Sequence, residues 1–387
     1  MDGLRKLSEY TAAQSVGDSF KGRPPGGKAH LPPNLPRPSL PKVISVRNGN
    51  YSATTVKDPV KLLRLGQQEA EPSGSASEPA LDVVVVARVE DDSLELPKNT
   101  FETLNRNFEI DLVMLQHVYM SSYGFYYYDD HPDLAPSSGS KTQSFYFGCF
   151  LFSMVWSFNP QSMKTSAILI LRTIKKYYYG SLPLEAIQSA LHVYKDRISS
   201  PLFLAFVLFI ILTHILDDNI YRNVRELRKI ETETDHGPSS GNFSASATQQ
   251  SGIASPAAVD GSGEKKPVAR QDTMKRLNEN SIKIDKLTDM AKKLADVNVH
   301  LANLLRHTKL LGIMTETLED RSFRDMYCDR VTGKYAEDCG RDTSFFMAIM
   351  PSMKRRIAVT EPSLEYLDDR AKGLHQIVRL PPSVLPH

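Results

Sequence analysis

The chain has 387 residues, with 47 Lys and Arg against 45 Asp and Glu and a formal net charge of +2. That balance excludes the broad basic field of a nucleic-acid binder and an acidic interaction tail. Three cysteines, Cys149, Cys328 and Cys339, are too few for a disulfide-built scaffold and fit a reducing compartment.

Residues 1–80 read as a disordered Pro-rich region. Gly22-Arg23-Pro24-Pro25 and Pro32-Pro33-Asn34-Leu35-Pro36-Arg37-Pro38-Ser39-Leu40-Pro41 suit neither a helix interior nor a central strand, because proline fixes φ and lacks a donor. The PxxP pairs Pro33/Pro36 and Pro38/Pro41 match a polyproline II ligand as well as an ordinary tail. The start, Met1-Asp2-Gly3-Leu4-Arg5-Lys6, lacks the apolar centre of a secretory signal.

Order is expected to begin at Leu81-Asp82-Val83-Val84-Val85-Val86-Ala87-Arg88-Val89, a β-branched run that reads as a strand buried on both faces. A helix follows, carrying Phe101, Leu104 and Phe108, with Asn99 or Thr100 as its cap. Asp111 can start another, with Val113, Met114, His117 and Val118 on one side. Asp129, Asp130, His131 and Asp133 then form an acidic cluster without the spacing or glycine of a calcium loop, and a solvated loop is its simpler reading.

Two apolar stretches follow. Ser144 to Phe158 is aromatic-rich and reads either as strand plus turn or as part of a membrane span. Ile198 to Leu216 carries no formally charged residue over 19 positions. Leu202, Phe203, Phe206, Val207, Ile210 and Ile211 make its centre apolar all round, so it lies deep in a protein core or crosses a bilayer. At about 1.5 Å per residue, its length roughly matches a bilayer core. The helix is expected to continue through Ile220, Val224, Leu227 and Ile230.

Residues 237–270 read as a Ser/Ala/Gly linker with too little apolar content to fold. A helix over 271–320 carries the clearest period in the chain. Leu287, Met290, Leu294, Val297, Leu301, Leu304 and Leu311 alternate spacings of three and four, as an oligomer seam or as a face packed on its own domain. His300 and His307, seven apart, lack a third metal ligand in view and read as helix surface. In the last region, 321–387, Cys328 and Cys339 sit in a polar loop and are too few for a zinc site. Lys354-Arg355-Arg356 is a weak patch for anionic headgroups. Pro362 to Ile377 reads as a helix with Leu364, Leu367, Ala371 and Leu374 on one face.

Taken in order, these pieces resemble the cytoplasmic part of fungal CorA-like magnesium transporters. The resemblance rests on Leu96-Pro97-Lys98-Asn99-Thr100-Phe101-Glu102-Thr103-Leu104, on Asp217 to Thr234, on Ile284 to His307 and on Ser363 to Ala371. It covers roughly residues 95–380 and consists of structural helix strings, with no chemical motif. It implies an α+β architecture, an α/β cytoplasmic domain over 81–236 followed by long stalk-like coiled helices. It further implies a homo-oligomer through the heptad helix and membrane association on the cytoplasmic face, with no nucleic acid. Mg²⁺ would be a transported or regulatory ion, and no other cofactor is expected. The sequence lacks the Gly-Met-Asn tripeptide of the family's pore. The chain by itself is therefore expected not to conduct ions, and no metal-binding residue is assigned. No catalytic residue is expected either, because no nucleophile–base pair stands in a recognisable motif. The alternative reading is a non-transporting scaffold that uses the coiled-coil helix and the Pro-rich tail.

Overall fold

In the computed structural model the described residues are 40–65, 78–89, 94–127, 142–173, 182–233 and 269–379. They divide into two compact units. The first holds the described residues up to Ile215 together with His307–Val359, and the second holds Leu216–Arg306 and the residues from Thr360 on.

The first unit is built on seven strands: β1 (Lys42–Arg47), β2 (Asn50–Thr55), β3 (Ala80–Val89), β4 (Gly124–Tyr127), β5 (Gln143–Gly148), β6 (Phe152–Asn159) and β7 (Lys164–Thr173). They form one mixed sheet in the order β2-β1-β3-β7-β6-β5-β4. Only the central pair, β3 with β7, is parallel among these strands, with Val84 opposite Ile168 and Val86 opposite Ile170. The β-branched run lies at that centre, where a strand is covered on both faces, and Leu81 to Arg88 are all buried.

The described helices are α1 (Lys98–Asn107), α2 (Leu112–Tyr119), α3 (Leu182–Val193), α4 (Phe203–Glu233), α5 (Ala269–Glu319), α6 (Arg321–Cys328) and α7 (Tyr335–Arg379). Successive side chains in a strand point to opposite faces, so the sheet carries two cores. On one face Val84, Val86, Tyr146, Val155, Ile168 and Ile170 pack with Phe101 and Leu104 of α1 and Met114, Leu115 and Val118 of α2. On the other, Val83, Val85, Phe145, Phe147, Met154, Trp156, Ala167 and Leu169 are buried. There Phe145 stacks on Trp156 at 5.2 Å and meets Tyr327 of α6 at 4.9 Å.

Several expectations change. Residues 42–55, assigned by composition to the disordered region, form the β1–β2 hairpin. Its turn places Asn48 and Gly49 at φ 52° and 69°, the left-handed pair that closes a tight two-residue hairpin. Helix α1 is capped by neither Asn99 nor Thr100. It starts after Pro97, whose carbonyl accepts from the Phe101 N–H at 3.0 Å, and no side chain caps it. Asp111 does cap α2, accepting from the Val113 N–H at 2.8 Å. The 144–158 stretch forms β5, a turn and β6, in antiparallel pairing.

Helix α7 begins near Tyr335, well before Pro362, and runs through both Pro351 and Pro362. An interior proline costs a helix about 3 kcal/mol. Here both prolines are exposed, while Phe346, Met350, Met353, Ile357, Leu364 and Leu367 bury a continuous helical stripe that offsets the loss. Cys328 and Cys339, expected in a loop, therefore lie at the end of α6 and in the opening turns of α7. The units divide inside α4, α5 and α7, after Ile215, Arg306 and Val359.

In the second unit, Leu227 and Ile230 of α4, Met290, Leu294, Val297, Leu301 and Leu304 of α5, and Leu364, Leu367, Ala371 and Leu374 of α7 are all buried. Arg370 donates both Nε and an Nη to the buried carboxylate of Glu231, tying α7 to α4.

Candidate functional site

The candidate site lies where α6 meets α7, in the first unit. It is an open groove of about 600 Å³ with Arg324, Asp325 and Cys328 on one wall and Thr343, Ser344 and Met347 on the other. Helix α6 is held there by Asp320, which caps it through the Ser322 N–H at 2.9 Å. Its apolar residues Phe323 and Tyr327 face Tyr127 at 4.6 and 6.2 Å. Gln143 of β5 donates to the Tyr327 carbonyl at 3.2 Å.

Beneath the groove the polar side chains are closely partnered. The carboxylate of Asp342 is fully buried and accepts from Arg197 and from the Ser199 N–H, both at 3.3 Å. Burial outweighs these partners and pushes its pKa up. Thr343 Oγ1 lies 2.8 Å from Ser200 Oγ, and that oxygen in turn accepts from the Leu202 N–H at 3.2 Å at the start of α4. Arg197 also stands over the Phe345 ring at 4.7 Å. Cys328 Sγ lies 3.6 Å from Thr343 Oγ1 and is half-buried, whereas Cys339 is buried in a cluster with Phe158, Met163 and Val331.

The structure distributes the sequence-predicted residues as follows. Leu202, Phe203, Phe206, Val207 and Ile211 are buried and Ile210 is half-buried. Phe206 stacks on Phe346 of α7 at 5.0 Å with the rings 8° from parallel. By length and composition α4 is apolar enough to cross a membrane, and 67% of its apolar window is buried within the protein. Of the seam, Met290, Leu294, Val297, Leu301, Leu304 and Leu311 are buried by the chain itself and Leu287 is half-buried. Asp129, Asp130, His131 and Asp133 lie outside the described residues, as do the PxxP prolines other than Pro41. No group of three His, Cys, Asp or Glu side chains able to hold a metal exists among the described residues. Lys354 of the basic triplet reaches Glu319 at 2.7 Å.

His307, read from sequence as helix surface, is fully buried in the first unit. Its ring lies 5.6 Å from that of Tyr123 and 5.1 Å from that of Phe150, and neither ring nitrogen has a hydrogen-bond partner among the described residues. Burial holds its pKa down at about 3. The neutral ring is thus the folded form. Below the ordinary histidine value of about 6.5, the unfolded chain takes up a proton that the folded chain refuses until about pH 3. Stability from this site is therefore complete above neutral pH and falls as the pH drops. Between pH 7 and pH 5 the loss is expected to be about 2 kcal/mol. Asp342 shifts stability in the opposite direction, so the test is a difference: urea midpoints at both pH values should converge in His307→Phe relative to the parent. An equal pH loss in parent and variant would contradict the neutral buried ring.

No protein-family model matches the chain, and no curated protein matches it.

Proposed function

We propose that the chain is a CorA-like protein related to divalent-cation, most simply magnesium, transport, and that it serves as a cytoplasmic portion without a pore. The observation that carries this reading is the combination of a mixed seven-stranded α/β unit with helices of 31, 51 and 45 residues. The four strings that carry the resemblance support it further. One falls on α1 within the α/β unit, and the others fall on three long helices, on the polar half of α4, on α5 and on the second half of α7. On this reading the chain acts at the cytoplasmic face of a membrane. It assembles as a homo-oligomer through the heptad helix α5, and it senses or accompanies the ion.

The reading predicts that the purified chain self-associates and that its assembly changes when magnesium is raised from none to millimolar. Sedimentation velocity at several protein concentrations tests it. A monomer whose sedimentation coefficient is indifferent to magnesium would overturn the proposal.

A further inference from the structure

We infer that Cys328 and Cys339 are a reversible thiol–disulfide pair, a modification site for a peroxide oxidant that enters the groove between α6 and α7. The inference is independent of the transport reading. Four observations carry it. Cys328 lines the groove and is half-buried, so a small polar oxidant has access to its sulfur. Cys339, behind it, is buried in the cluster of Phe158, Met163 and Val331, against which Cys328 also packs. Thr343 Oγ1 lies 3.6 Å from Cys328 Sγ, on the side of the groove from which α7 begins. Finally, the neighbouring thiols push the Cys328 pKa down and that of Cys339 up, which marks the half-buried sulfur as the attacking one and the buried sulfur as the resolving one.

The chemistry balances in two steps. The Cys328 thiol gives its proton to solvent, and the thiolate attacks one peroxide oxygen. The O–O bond breaks, Cys328 becomes a sulfenic acid, and the departing hydroxide takes a proton to form water. Cys339 then attacks the Cys328 sulfur. The S–O bond breaks, and the second hydroxide leaves as water with the Cys339 proton. Two thiols are oxidised by two electrons in all, and one hydrogen peroxide is reduced to two waters. The product ties the end of α6 to the opening turns of α7. In a reducing compartment such a bond is transient, as suits a sensor.

Peptide mapping of the full chain after hydrogen peroxide treatment and alkylation tests this. Trypsin cuts after Arg324, Arg330, Lys334 and Arg341, so the two cysteines leave on separate peptides, 325–330 and 335–341. The expected result is one linked species that lacks two hydrogens relative to the pair and reverts to both peptides with dithiothreitol. Cys339→Ser should halt Cys328 at sulfenic or higher acids, and Cys328→Ser should leave Cys339 reduced. Two separately alkylated peptides from the peroxide-treated parent, or a Cys328 sulfinic acid without linkage, would overturn the pair. The parent measurement needs no variant to fold.

Discussion

Phe206→Asp is expected to abolish the cooperative unfolding transition of the first unit. The side chain is 1% exposed and stacks on Phe346, with Phe203 of its own helix also near that ring at 6.0 Å. A carboxylate placed there loses its water, and the residues that flank it on α4 are all apolar. The cost of an unpaired buried charge is several kcal/mol, added to the lost aromatic packing. Domain stability is about 5–15 kcal/mol in total, so one such change removes most of it. Phe206→Ala removes the packing alone and should cost about 3–5 kcal/mol. Near-ultraviolet circular dichroism during urea titration reads both. A Phe206→Asp protein with the parental midpoint would mean that this ring is not enclosed by the chain.

Arg370→Ala is expected to be the most damaging single truncation in the second unit. It removes the bidentate partner of Glu231, a carboxylate only 4% exposed, at the contact between α4 and α7. Removing one partner of a buried pair typically costs about 3–5 kcal/mol, because the remaining charge has no water to return to. Replacing both partners, as Glu231→Leu with Arg370→Met, should recover most of that loss. The contrast between single and double variants, measured by denaturant midpoint, separates the cost of the buried charge left without Arg370 from that of the pair itself. A loss near the 0.5 kcal/mol of an exposed pair would show that Glu231 remains solvated.

Much of this architecture was legible residue by residue. Val83 to Val86 announced a strand covered on both sides, because four consecutive β-branched side chains leave no polar face. The spacing from Met290 to Leu304 announced a helix with one buried stripe, but periodicity alone does not say whose surface covers the stripe. The β1–β2 hairpin was hidden by its surroundings. Its strands are six residues long and stand beside a proline-rich tract, and only Asn48-Gly49 marked the turn. Helix α7 was hidden by Pro351 and Pro362, whose local penalty is overcome by buried residues on the other side of the helix. The thiol pair was not legible at all. A spacing of eleven across the α6–α7 turn fixes no distance, and the two cysteines share one cluster only because both pack against Phe158 and Met163 in the fold. Likewise His307 carries a charged residue's appearance in sequence and an aromatic residue's surroundings in the fold.

The central claim is that the apolar half of α4 is covered by protein. A phenylalanine analogue bearing a photoactivated diazirine at position 206, in the full chain and with phospholipid vesicles present, tests it most directly. On irradiation the account predicts a cross-link to the tryptic peptide 342–354, which carries Phe346. Cross-linking to lipid acyl chains in its place would contradict the account.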